Sequence, residues 1–251
     1  MAASAAVPSP VLEYADVRKS FGGGSVLESF SLALAPGETV ALVGRSGCGK
    51  TTALKLANRL LEPDGGSVRV FGGAASAQDP VALRRRIGWV IQEGGLFPHW
   101  TVRENVEAVP RLLGWPEGRR RARAEELLAT VGLPPAEFGA RRPSGLSGGQ
   151  RQRVGVARAL AAGPALVLMD EPFGALDPIG RRAMQTEFLA WKARWGAAVL
   201  LVTHDLREAF RLADRIAVLE RGAIRQVGAP AELRRAPADA FVRELVEELG
   251  A

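Results

Sequence analysis

Cysteine, tyrosine and histidine are scarce in this chain: 251 residues contain one cysteine, one tyrosine and two histidines. A lone Cys48 excludes an internal disulfide, and no export signal accompanies it. The opening MAASAAVPSP is small and apolar but lacks a basic start, a long apolar centre and a cleavage pattern, so residues 1–10 are expected to form a flexible tail. Long apolar runs are also missing. ALVLM and AAVLLV fall far short of the roughly 20 residues a spanning helix needs, so any membrane crossing falls to other chains. There is no heptad run, low-complexity tract or duplicated half.

With 47% hydrophobic and 24% charged residues, the chain can bury a substantial core. A net charge of +6 would suit an anionic partner. Yet the densest basic cluster, GRRRARAEELL, lies in an amphipathic helical pattern with Leu127, Leu128 and Val131 on its apolar side. It reads as a solvated face, and no nucleic-acid partner is expected.

Strand-like segments recur as VLEYADV, SFSLAL, ETVALVG, GSVRVFG, IGWVIQ, ALVLMD, AVLLVTH and RIAVLERG, with helical stretches between several of them. The alternation predicts an α/β fold with a mixed, largely parallel central sheet and an antiparallel portion near the N-terminus. Residues 11–251 form one domain on this reading, and the strand signal fades over a helical insertion at about 94–160. In RRAMQTEFLAWKARWG the residues Met184, Phe188, Trp191 and Trp195 share one helical face, which reads as core packing.

Between a strand pattern and a helix pattern stands the loop Gly44, Arg45, Ser46, Gly47, Cys48, Gly49, Lys50, Thr51, Thr52. It fits G-x-x-x-x-G-K-[ST], the phosphate loop. Glycines let backbone N–H groups turn onto phosphate oxygens, and the helix start adds partial positive charge. Lys50 supplies a full charge and Thr51 a hydroxyl for Mg²⁺. Cys48 is either activated by Lys50 and the helix start or buried beneath the nucleotide. Downstream, ALVLMDEP ends a buried-strand pattern in Asp170, suited to the metal, and Glu171, suited to orienting or deprotonating a water.

A second glycine-rich helix start, Leu146, Ser147, Gly148, Gly149 and Gln150, distinguishes this chain among phosphate-loop proteins. LSGGQ, lying between the phosphate loop and ALVLMDEP, resembles the signature of ATP-binding cassette proteins, and the likeness covers nearly the whole chain. Other stations follow in the family's order. Phe21 in KSFGG resembles the adenine-stacking aromatic, Gln92 the Q-loop glutamine, Asp177 in GALD the D-loop and His204 in LLVTHD the switch histidine.

The resemblance implies the ABC-type fold and two copies stacked head to tail. Each ATP would lie between one copy's phosphate loop and the other's signature turn. Glu171 is then the general base, and His204 holds the γ-phosphate and water. Ser147, Gly148, Gly149 and Gln150 meet the partner's nucleotide, and Thr51, Gln92 and Asp170 surround Mg²⁺.

Among such proteins the chain looks most like the ATPase subunits of bacterial osmoprotectant importers for glycine betaine, carnitine or choline. That likeness rests on IGWVIQEGGLFPHWTVRENVEAVPRLLGW and RVGVARALAAGPALVLMDEPFGALDPIGRR. It implies transmembrane permease subunits as partners, a solute-binding protein indirectly, and a peripheral place on the cytoplasmic face of the inner membrane. An importer ATPase for another solute, or a soluble non-transport cassette, is the alternative. Some relatives carry paired regulatory modules after the cassette. None follows FVRELVEELGA here, so ionic-strength sensing through them is not expected. Leu96, Phe97, Pro98 and Trp100 either line a groove for a helix of the pore protein or anchor the helical insertion to the core.

Overall fold

Apolar residues at alternate positions fold the N-terminal third into a sheet of its own. In β1 (Leu12–Phe21) the residues Leu12, Tyr14 and Val17 point inward, and in β2 (Gly24–Leu34) so do Leu27, Phe30, Leu32 and Leu34. The two strands pair antiparallel, with register shifts beyond Tyr14. β4 (Gly65–Val70) takes the other edge of β1, and β5 (Gly73–Ala74) completes the order β2-β1-β4-β5. The computed structural model describes residues 9–92, 95–174 and 176–249. Most of the expected flexible tail, the proposed start of the insertion at Gly94, and Ala175 of GALD lie outside the described residues.

The second sheet is built from β3 (Thr39–Val43), β6 (Ile87–Val90), β7 (Leu166–Asp170), β8 (Ala198–Thr203), β9 (Arg215–Glu220) and β10 (Ala223–Gly228). Its order is β10-β9-β3-β8-β7-β6, parallel throughout except for the antiparallel edge strand β10. β3 and β8 are buried along their whole length, as expected for strands covered on both faces. The predicted mixed sheet is thus present, with two differences. The antiparallel portion is a separate sheet that also claims GSVRVFG, and β10 adds an edge that no apolar run announced.

Each central strand divides its side chains between two cores. Val40, Leu42, Leu168, Leu200 and Ala217 face the N-terminal sheet and α1 (Lys50–Ala57). Ala41, Val43, Met169, Leu201 and Ile216 face the helical side. Tyr14 fastens the first sheet to α1: its ring meets Phe30 edge-on at 5.0 Å, and its hydroxyl donates to the Ala53 carbonyl at 2.8 Å.

α2 (Pro80–Arg86) leads into β6, and α3 (Val102–Leu112), α4 (Glu117–Thr130), α5 (Pro135–Phe138) and α6 (Gly148–Leu160) follow it. Val106, Leu127, Leu128 and Val154 join these helices in the helical-side core. On α4 Arg121 is exposed and pairs with Glu125, while Arg123, paired with Glu126, and Arg120, which meets Glu107 of α3, are half-buried. The solvated face the sequence predicts is thus present at Arg121, whereas Arg120 and Arg123 also donate to backbone carbonyls.

α7 (Pro178–Trp195) buries Met184, Phe188 and Trp191, and Trp195 stacks on Trp191 at 5.8 Å. After it come α8 (Leu206–Leu212), α9 (Pro230–Arg235) and α10 (Ala240–Glu247). No helix among the described residues is long and apolar enough to cross a membrane.

Candidate nucleotide site

Three neighbouring parallel strands, β3, β8 and β7, deliver the site from their C-terminal ends, where ligands of open α/β sheets gather. β3 runs into the phosphate loop, β7 ends at Asp170 and Glu171, and β8 leads to His204. Glycine is obligatory at two turns of the loop. A Cβ at Gly44 would stand 2.1 Å from the Leu219 carbonyl oxygen. Gly49 has φ +111°, and its Cβ would meet Leu27 Cδ2 at 2.6 Å and the Val26 oxygen at 2.7 Å.

Lys50 is buried and donates to the loop's own carbonyls, Gly44 O at 2.7 Å and Arg45 O at 3.1 Å. This pins the ammonium at the mouth of the cradle, with Ser46, Gly47, Gly49, Thr51, Thr52 and Glu171 around one depression. Val26, absent from the sequence reading, closes that depression. Nothing local in the sequence marks it, because β2 arrives there through tertiary pairing. Arg45 instead reaches outward to α10, with Nη2 at 3.4 Å from Glu244 Oε1 and its guanidinium 5.6 Å over the Phe241 ring. Cys48 lies within the loop, and burial pushes its thiol up in pKa against the opposing pull of Lys50. Cys48 is buried by the protein's own packing, which opposes activation of the thiol.

The carboxylates divide their work by position. Asp170 is partly buried, and burial raises its carboxyl above the usual range, with Thr51 Oγ1 at 3.3 Å from its Oδ1. A divalent cation would relieve that penalty, and a hydroxyl with one carboxylate suits Mg²⁺, which keeps several waters. Among the described residues there is no cluster of three or more His, Cys, Asp or Glu, so Mg²⁺ would depend on this pair, water and phosphate.

Glu171 has φ +45°, a strained setting for a non-glycine residue, and its amide donates to Val202 O at 2.9 Å. Its Oε1 lies 3.1 Å from His204 Nδ1. With the proton on Nδ1, the imidazole donates to the carboxylate and presents Nε2 outward, and the pair can orient a water at the cradle's mouth.

The remaining predicted residues lie apart. Ser147 caps α6 in a capping box, accepting from Gln150 N at 3.2 Å while Gln150 Oε1 accepts from Ser147 N at 2.9 Å. Asp177 caps α7, accepting from Ile179 N and Gly180 N at 3.1 and 3.0 Å. Ser147, Gly148, Gly149, Gln150 and Asp177 line one shared depression, which contains no phosphate-loop residue.

Phe21 is 48% exposed at the hairpin end, with Lys19 Nζ 5.4 Å from its ring centre. Gln92 is exposed just beyond β6 and has no hydrogen bond to Thr51 or Asp170 among the described residues. Leu96 packs against the core, whereas Phe97, tilted against Trp100 with ring centres 4.6 Å apart, lines an apolar groove with Trp89, Ile91, Val109 and Leu112. Leu96 thus serves the anchoring reading, and of the four residues Phe97 alone lines the groove.

Comparison with known proteins bears on this geometry. The ABC transporter family matches residues 27–174. The chain is 51% identical over 237 residues to the glycine betaine/carnitine/choline transport ATP-binding protein of Bacillus subtilis (strain 168), covering 94% of this chain and 62% of that one. It thus spans less than two thirds of that relative. The glycine betaine uptake system ATP-binding protein of Escherichia coli (strain K12) is 44% identical over 242 residues, covering 96% of this chain and 78% of that one. A dimeric ATP-binding cassette solved in a post-hydrolysis state with ADP and Pi superposes with a TM-score of 0.77 at 32% identity, over 87% of this chain and 98% of that one. The chain belongs to the ABC transporter family.

Proposed function

We propose that this chain is the ATP-binding and ATP-hydrolysing subunit of a bacterial importer for a quaternary-amine osmoprotectant such as glycine betaine, carnitine or choline. The observation that carries the ATPase reading is the Glu171 Oε1 to His204 Nδ1 contact at 3.1 Å, with Glu171 lining the same depression as Lys50 and Thr51. Lys50 and the backbone N–H groups from Gly47 to Thr51 bind the phosphates, and Phe21 offers its exposed ring to the base. Thr51 and Asp170 would hold Mg²⁺, which neutralises phosphate charge when bound. Gln92 reaches the metal and water only after moving, which suits a residue that reports nucleotide state.

Glu171 takes the proton of the attacking water, and His204, oriented by Glu171, holds that water and the γ-phosphate in place. A second copy supplies Ser147, Gly148, Gly149 and Gln150, with Asp177 beside them. The separation of the two depressions within one chain supports this arrangement, since the phosphate loop lines one and the signature turn the other. The assembly sits peripherally on the cytoplasmic face of the membrane, docked to permease subunits that a solute-binding protein feeds. The likeness to the two betaine-transport relatives supports the substrate class.

Glu171→Gln is expected to bind Mg-ATP, to lose turnover by about 10²–10³-fold and to accumulate as a nucleotide-bound dimer on gel filtration. Hydrolysis near the wild-type rate would overturn the base assignment. For the substrate, vesicles rebuilt with the chain and its membrane partners should take up labelled glycine betaine in an ATP-dependent way. Uptake of another solute alone would retain the motor and discard the quaternary amine.

A further inference from the structure

Directly after His204 in the chain begins a half-buried polar cluster that the site described above does not use. Its N-cap residue, Asp205, accepts from Arg207 N and Glu208 N on Oδ1 at 2.9 and 3.3 Å. The other oxygen, Oδ2, lies 3.6 Å from Arg181 Nη1 on α7. Glu208, only 4% exposed, joins the cluster, and the Thr203 hydroxyl accepts from Asp205 N at 3.0 Å. Two atoms are left over. Glu208 Oε1 and Arg181 Nε are both buried, and neither has a hydrogen-bond partner among the described residues. One is an acceptor and the other a donor, so each supplies what the other lacks, and leaving both unmet is unfavourable.

The location gives this mismatch a direction. Arg181 lies in the first turn of α7, just after Asp177 at the depression assigned to the second copy. Glu208 lies in the first turn of α8, four residues beyond His204. We propose that Arg181 and Glu208 are a latent ion pair and that Glu208 is a positioning residue for His204. Pressure on the Asp177 end of α7 carries Arg181 from Asp205 onto Glu208 and draws α8, with His204, into register with the cradle. The inference rests on the reading of two copies closing on ATP.

Closing the pair has a proton consequence. Glu208 is surrounded by Asp205 at the start of its own helix, Arg181 from α7, Glu171 from the end of β7 and Thr203 from β8. Burial, reinforced by Asp205, pushes its carboxyl up to about 8, so it is neutral at pH 7. Contact with the Arg181 guanidinium favours the carboxylate, and the proton passes to bulk water.

The test adds Mg-ATP at pH 7 to a weakly buffered indicator solution of Glu171→Gln, which binds without turning over, and to the Glu171→Gln/Glu208→Gln double variant. Closure should release about one more proton per chain in the first than in the second. On the wild-type background Glu208→Gln should lower kcat about tenfold with nucleotide Kd within about twofold. Arg181→Lys, which lacks the Nε donor, should show the same split and serves if Glu208→Gln misfolds.

Equal proton release from both chains would overturn the proposal. So would wild-type turnover by both Glu208→Gln and Arg181→Lys, or a loss of affinity that accounts for the whole loss of rate. A wild-type chain that binds ATP without hydrolysing it would defeat the ATPase reading instead, and the proton measurement, which needs only binding, separates the two.

Discussion

Cys48 shows how one residue's chemistry is settled by competition. Lys50 Nζ, 3.9 Å from its sulfur, favours the thiolate, but burial outweighs it and raises the thiol's pKa. Alkylation by a maleimide should therefore be slow at pH 7, accelerate as the pH is raised, and be suppressed by Mg-ATP, as followed by mass spectrometry with Cys48→Ser as control. Glu208 makes a pH prediction for stability. Its folded value of about 8 stands above its ordinary 4.5, so its contribution is full at low pH and is lost as pH rises through that window. Glu208→Gln should thus raise the melting temperature relative to wild type more at pH 8 than at pH 5; an equal shift at both would remove the assignment. The phosphate loop, Asp170 and Glu171 were legible from their place at the joins of strand and helix patterns, whereas His204 was legible only through the family resemblance. Arg181, Asp205 and Glu208 were not, since Arg181 lies on α7 and the other two lie beyond β8, and only folding brings them together.

Elements were legible in proportion to how completely they are buried. LVLMD in β7 and AVLLVT in β8 are apolar on both faces and announce parallel strands. β10, AIRQVG, is half-buried at the sheet edge and carries Arg225 and Gln226, so no period stands out against its polar residues. The four-residue period of α7 survives because Met184, Phe188 and Trp191 enter one core. Caps matter as much as periods at the boundaries. Thr101 starts α3 with a reciprocal box, its Oγ1 accepting from Glu104 N at 3.2 Å and Glu104 Oε2 accepting from Thr101 N at 2.7 Å. Thr101→Ala should cost about 1 kcal/mol and lower the melting temperature by about 2–4 °C in calorimetry, without altering nucleotide affinity.

For the whole molecule, strand order was the part hidden from the sequence. β3 lies between β8 and β9, which follow it by more than 150 residues, and nothing local encodes that neighbour relation. It is nonetheless what assembles the cradle from three strand ends. The apolar groove at Phe97 belongs to this scale too, since it is lined by α3, α6 and the approach to β6. If the proposed permease partners dock at this groove, Phe97→Asp should leave ATP binding intact and abolish their co-purification; unchanged co-purification would place the docking surface elsewhere. The Tyr14 latch between the first sheet and α1 carries one more consequence. Because this is the chain's sole tyrosine and burial drives its phenol far above the ordinary range, no phenolate absorbance should appear on alkaline titration until the latch parts. The seam between the two sheets thus carries its own optical clock, readable apart from the five tryptophans, for timing when α1 lets go.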